Sequence, residues 1–159
     1  MYRGEISEDF PWALSGPVEH LRADGGLVFI RYIAAGGRPA AAVAEPTHEP
    51  RIDRATLVLP NNKSNILYTK TTEEAYFVAA FINAGPAQDA LARFSVSTGI
   101  TPAALARLPL PGYDAQDAEH RPLAELGQQA TAARAERDDE RLASLEREID
   151  DQVWKVQAP

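Results

Sequence analysis

Residues 71–86 read TTEEAYFVAAFINAGP, and this run decides where the chain turns from strands to helices. Thr71 and Glu74 stand at capping-box spacing, in which a hydroxyl and a carboxylate satisfy the free backbone amides of a helix start. Ala75, Phe77, Val78, Phe81 and Ile82 then recur at helical spacing. Gly85-Pro86 closes the run.

Upstream, short apolar runs alternate with turn formers. LVFIRYIA (27–34) lies between Asp24-Gly25-Gly26 and Gly36-Gly37, the pattern of a buried strand bounded by turns. Only Arg31 interrupts its apolar face. AAAVAE (40–45), TLVLP (56–60) and ILYTK (66–70) read as three further strands. Pro46 and Pro50 mark the stretch from Glu45 to Arg54 as a loop, and residues 61–65, NNKSN, form a polar connection between the last two strands.

Downstream, Pro86 opens a short helix PAQDALARF, because its missing amide hydrogen is not needed in a first turn. Thr101-Pro102 repeats the device for ITPAALARL, and the prolines of PLPG force an extended exit. From Pro122 to Val156 the chain is rich in Ala, Glu, Arg and Leu, with one stripe of Leu123, Leu126, Ala130 and Ala133 and another of Leu142, Leu145, Ile149, Val153 and Val156. Two helices are expected, broken near residues 137–140, where acidic side chains favour the positive end of the second helix. Both stripes need a partner, so a helical hairpin packed on itself or on the front is predicted. The fold class is therefore α+β: a small strand-rich front with short packed helices in residues 1–113, and a helical hairpin in residues 114–159.

Charge follows the same division. Residues 1–113 hold 10 Lys+Arg and 11 Asp+Glu, whereas 114–159 hold 6 and 12, so the net charge of −7 is mostly a property of the tail. The near-neutral front can carry a basic face, with weak attraction for phosphate on its own. Cysteine is absent, which excludes disulfides and thiolate metal sites. The N-terminal MYRGEISEDFPWAL lacks the basic start and apolar run of a signal peptide, so a cytoplasmic protein is expected. No apolar run approaches the roughly 20 residues of a membrane span.

Five pieces in order resemble a known module. They are Glu73-Glu74-Ala75-Tyr76 through Ala80 and Asn83, the Ser/Thr/Gly-rich residues 95–99, Thr101-Pro102 with Leu105, Leu108, Pro109 and Pro111, His120 followed by Leu123–Leu126, and the closing EIDDQVWKV of residues 148–156. In this order they are similar to the target-recognition (specificity) domain at the C-terminal end of TaqI-like adenine-specific DNA methyltransferases, and more loosely to specificity subunits of type I restriction systems. The resemblance is good from about Thr56 onward. It implies double-stranded DNA as a partner, together with a methyltransferase catalytic domain or subunit. The Asn-Pro-Pro-aromatic motif and the Gly-rich loop for S-adenosylmethionine are not in this chain. A non-catalytic role without a cofactor of its own follows, with S-adenosylmethionine expected only in the catalytic partner or a missing domain.

Candidate DNA contacts are loop or strand residues able to reach phosphates or base edges: Arg31, Arg38, Asn61, Asn62, Lys63, Ser97 and Thr98. Arginine pairs bidentately with guanine and asparagine with adenine, whereas Lys, Ser and Thr more often hold the backbone. Each has a plainer reading, as a turn, a helix cap or a solvated side chain. Tyr76 and Phe77 read as core, and Trp12 and Trp154 as anchors for the chain ends. His20, His48 and His120 lack metal-ligand spacing and read as surface or capping residues. Ser15, Ser95 and Ser97 lack a nucleophile elbow, and Asp53 and Lys63 do not make a nuclease centre. A different class of function also fits the composition, a protein-interaction or assembly module using the acidic hairpin. A basic face uniting Arg31, Arg38 and Lys63 separates the two.

Overall fold

The computed structural model describes residues 25–32, 38–44, 47–49, 54–56, 64–94 and 99–157. Its order is five strands and then five helices: β1 (Leu27–Arg31), β2 (Ala41–Ala44), β3 (Thr47–Glu49), β4 (Arg54–Thr56), β5 (Ser64–Tyr68), α1 (Thr72–Asn83), α2 (Gly85–Phe94), α3 (Pro102–Leu105), α4 (His120–Glu136) and α5 (Asp139–Gln157). The α+β class read from the sequence is the observed one.

The main sheet is antiparallel with order β2-β1-β5. Leu27 pairs with Ala44 on one side and Tyr68 on the other, and Arg31 pairs with Ser64. Alternation puts Val28, Ile30 and Ala41 on the face covered by α1, and all three are buried. The polar connection expected over residues 61–65 is corrected at its end, because Ser64 and Asn65 belong to β5. Register with β1 decides this. β5 ends at Tyr68, after which both the amide and the hydroxyl of Thr69 donate to the Gly26 carbonyl, at 3.0 Å and 2.9 Å.

The loop expected between Glu45 and Arg54 is also corrected. Thr47–Glu49 pairs antiparallel with Arg54–Thr56, Glu49 facing Arg54 in register. Pro46 and Pro50 flank β3 without interrupting it, and a three-residue strand is too short to show period-two alternation. Residues 57–60, read as strand, lie outside the described residues.

Helix α1 is buried on every side from Ala75 to Ile82. One side lies on the sheet and the other on α4, against which α5 packs in turn. Its N-terminus carries the expected cap: the Thr71 hydroxyl accepts from the Glu74 amide at 3.1 Å. The Glu74 carboxylate accepts from the Lys70 amide at 2.6 Å, one residue before the usual reciprocal position. The close approach of α4 to α1 requires Gly127, where a Cβ would stand 2.5 Å from the Tyr76 carbonyl oxygen.

Helices α4 and α5 form the predicted hairpin. Arg137 terminates α4 in the left-handed region at φ 59°, with the Asp138 amide donating to the Ala133 carbonyl at 3.0 Å. The Asp138 carboxylate then accepts from the Arg141 amide at 3.0 Å and caps α5. Both predicted stripes turn inward: Leu123, Ala133, Leu145, Ile149 and Val153 are buried. A single cluster of buried side chains runs from Val28 and Ile30 through Phe77 and Phe81 to Leu123, Ile149 and Val153, across the sequence boundary at 113/114.

The prolines after Leu108 lie in residues 109–114, which have no regular secondary structure, and an aromatic cluster pins this segment. Phe77, Tyr113 and His120 pack with ring centroids 5.2 Å, 4.8 Å and 6.1 Å apart. The His120 Nδ1 accepts the Asp114 amide at 3.0 Å, while the Asp117 carboxylate caps the start of α4 by accepting from the Glu119 amide at 2.8 Å. His120 is therefore neither the surface nor the helix-capping residue expected: it is buried against Phe77 and Tyr113 and its ring holds the loop before α4. The amide bonds from Glu119 and the nearby His120 hold the Asp117 carboxyl below its ordinary pKa. Trp154 does not anchor its end of the chain. It is 63% exposed, on the α5 face away from the core.

Replacing Gly127 with alanine forces α4 away from α1 and is expected to cost about 2 kcal/mol, as overpacking does; a denaturant titration with an unchanged midpoint would contradict this contact. The Tyr113 hydroxyl makes no well-formed hydrogen bond, and burial, then the Glu73 carboxylate, pushes its pKa up to about 12. A raised value means the folded state holds the proton more tightly, so stability is intact below the unfolded value near 10 and falls as pH rises toward 12. Unfolding curves of wild type and Tyr113→Phe should diverge only over that alkaline window, the variant losing less stability.

Candidate functional site

The C-terminal end of β1 gathers more chain segments than any ladder requires. Beyond the Arg31–Ser64 pair, the Arg31 amide donates to the Ala40 carbonyl at 3.0 Å. The Tyr32 carbonyl accepts the Ile100 amide at 2.7 Å, and the Asn65 side-chain amide donates to the Ile100 carbonyl at 2.7 Å. The Tyr32 ring lies on Gly99, where an added Cβ would come within 3.0 Å of its hydroxyl. Backbone at Arg31–Tyr32, Ala40, Ser64–Asn65 and Gly99–Ile100 thus meets at one end of the sheet. Unpaired backbone groups in such a junction are costly, and the Arg31 and Ile100 amides and the Ile100 carbonyl each find a partner there.

Of the sequence-predicted residues, Arg31 is the exposed last residue of β1. Arg38 is exposed two residues before Ala40 and forms an ion pair with Asp89 on α2. Exposed pairs contribute about 1 kcal/mol or less, so this arginine is exchangeable toward a stronger anion. Asn61, Asn62, Lys63, Ser97 and Thr98 lie outside the described residues. The described residues next to those two segments are Ser64 and Gly99, both at the junction.

Further exposed groups lie nearby that sequence reading passed over. Phe94 ends α2 and is 37% exposed, as is Tyr32. The Arg107 guanidinium stands over the Phe94 ring, 5.8 Å from its centroid. Arg93 occupies the last turn of α2, where a cation suits the helix dipole. The signal was in the sequence as a repeated ALAR at 90–93 and 104–107, which sets an arginine at the end of each short helix. Among the described residues, Asp89, Glu125 and Glu136 are the carboxylate partners of Arg38, Arg121 and Arg141, and Arg31, Arg93 and Arg107 have none there.

Supporting bonds hold this region against the core. The Asn83 side chain accepts from the Ala41 amide and donates to the Ala41 carbonyl, both at 2.8 Å, and so closes the free edge of β2. The Gln88 amide donates to the Pro39 carbonyl at 2.7 Å and to the Ile82 carbonyl at 2.6 Å. At the opposite end of α2 the Asp150 carboxylate, from α5, accepts the Gly85 amide at 2.7 Å. Acidic α5 is thus tied to the start of α2, and the arginine end faces away.

Among the described residues no group of three or more His, Asp or Glu side chains is arranged to hold a metal ion. No described helix is long and apolar enough to cross a membrane. No family model matches the chain, and neither curated proteins nor solved structures give a significant match.

Asn65→Ala should release the Ile100 carbonyl from β5 while leaving the sheet register intact. Hydrogen exchange at the Ile100 amide is expected to quicken, with Val28 and Ile30 unchanged; equal protection in the variant would show that the junction does not depend on this side chain.

Proposed function

We propose that this chain is a DNA target-recognition module of an adenine-specific DNA methyltransferase or restriction-modification system, working with a catalytic domain or subunit that carries S-adenosylmethionine. The observation that supports it most is the meeting of four segments at one end of the sheet. Arg31 is in that junction, Arg38 precedes it by two residues, and the described neighbours of the 61–63 and 97–98 segments are in it as well. Loops carried on a rigid scaffold are where sequence-reading side chains belong. The exposed arginines and aromatic rings around the junction suit a polyanionic partner better than the acidic total of −7 would suggest.

A second reading, assembly through the acidic hairpin, draws on the exposure of Trp154 on α5. An aromatic ring at an exposed position is a common anchor of protein interfaces. The two readings differ in where mutations act.

Fluorescence anisotropy with duplex DNA across a salt series, with and without a methyltransferase subunit, is the direct test. Lys63→Ala is expected to weaken binding to all duplexes and to lower the slope of log K against log salt by about 1, whereas Asn61→Ala or Asn62→Ala should relax preference for one base. Absence of salt-dependent binding even with the catalytic subunit present would refute the DNA reading, and loss of subunit association in Trp154→Ala would then favour assembly.

A further inference from the structure

Arg107 lies two residues beyond α3, on the surface of the molecule. Arg107 is exposed, but its backbone is fixed on both sides by buried residues, Ala104 and Leu108, and its amide donates to the Ala104 carbonyl at 3.2 Å. Its guanidinium rests over the Phe94 ring, so the side chain is partly pre-ordered before any ligand arrives. Arg93 is the chain neighbour of Phe94 and occupies the last turn of α2. The ring thus carries one arginine, Arg107, and neither Arg107 nor Arg93 has a carboxylate partner among the described residues.

The surrounding charge favours an anion there. Asp89, one turn before Arg93 on α2, is engaged by Arg38. The acidic α5 contacts α2 at Gly85, its first residue, which a ten-residue helix separates from Phe94 by about 14 Å. A guanidinium group binds phosphate oxygens in fork geometry, and one already ordered on an aromatic ring loses less freedom on binding.

We infer that Arg107, oriented by the Phe94 ring, binds the phosphate backbone of duplex DNA. This rests on the DNA-recognition reading and adds to it a contact that positions the duplex without reading bases. Phe94 is a positioning residue: it touches the arginine and not the ligand.

The full-length chain is titrated with a labelled random-sequence duplex at several salt concentrations. Arg107→Ala and Arg107→Gln should both weaken binding roughly tenfold on every duplex, the scale of one charge-assisted hydrogen bond, and flatten the salt slope by about 1. Phe94→Leu should weaken binding with the slope retained, and Phe94→Tyr should restore it. If both Arg107 variants keep wild-type affinity and slope while Lys63→Ala loses them, the inference is overturned and the DNA reading stands. If the wild type shows no salt-dependent DNA binding, both fall. Polyglutamate binding that depends on Arg107, with no DNA binding, would assign the patch to an acidic protein instead.

Discussion

The burial of α1 on both sides is the constraint on which the rest of the structure depends. From Ala75 to Ile82 no residue of this helix reaches solvent, so the sheet must cover one side and the hairpin the other. A helix that is apolar all round is stable only inside other elements. Removing a buried phenylalanine such as Phe77 or Phe81 from such a site costs on the order of 3–5 kcal/mol, a large part of the stability of a domain this size. The front and the acidic tail are thus energetically one object, although their compositions differ sharply.

Around this helix the remaining elements are tied by polar side chains that satisfy backbone groups of distant segments. Asn83 completes the edge of β2, Gln88 holds Pro39, Asp150 caps α2 from α5, and the Gln152 amide donates to the Glu119 carbonyl at 3.0 Å. Each bond contributes little by itself, about 1 kcal/mol. Together they define geometry rather than add much stability. They also sort charge: acidic α5 is held at the first residue of α2, and the arginines at the last are left open to solvent. The proposed DNA face depends on that separation, since a net acidic chain attracts phosphate only where its own carboxylates are kept away.

Much of the helical half was legible because its signals are local. Thr71 with Glu74, Thr101 with Pro102, and the break near Arg137 are caps and stops that act within a few residues, and each appears where the sequence indicates. The strand half was less legible. Two strand positions were misplaced because three-residue β3 carries no alternation of its own and because the extent of β5 is set by pairing with β1. Trp154 misled for a related reason: aromatic character argues for burial, but only the rotation of α5 on α4 says which face turns outward.

The sequence by itself determined the α+β class, the caps of α1 and α3, the break between α4 and α5 and the acidic character of the tail, since propensity, capping and composition are properties of neighbouring residues. Tertiary structure decided what meets what. The junction of Arg31, Ala40, Ser64 and Gly99, the seating of Arg107 on Phe94 and the capping of α2 by Asp150 join residues up to 68 positions apart. Such contacts depend on strand register and on helix approach at Gly127, which are set by the packing of the whole core and leave no periodic trace along the chain.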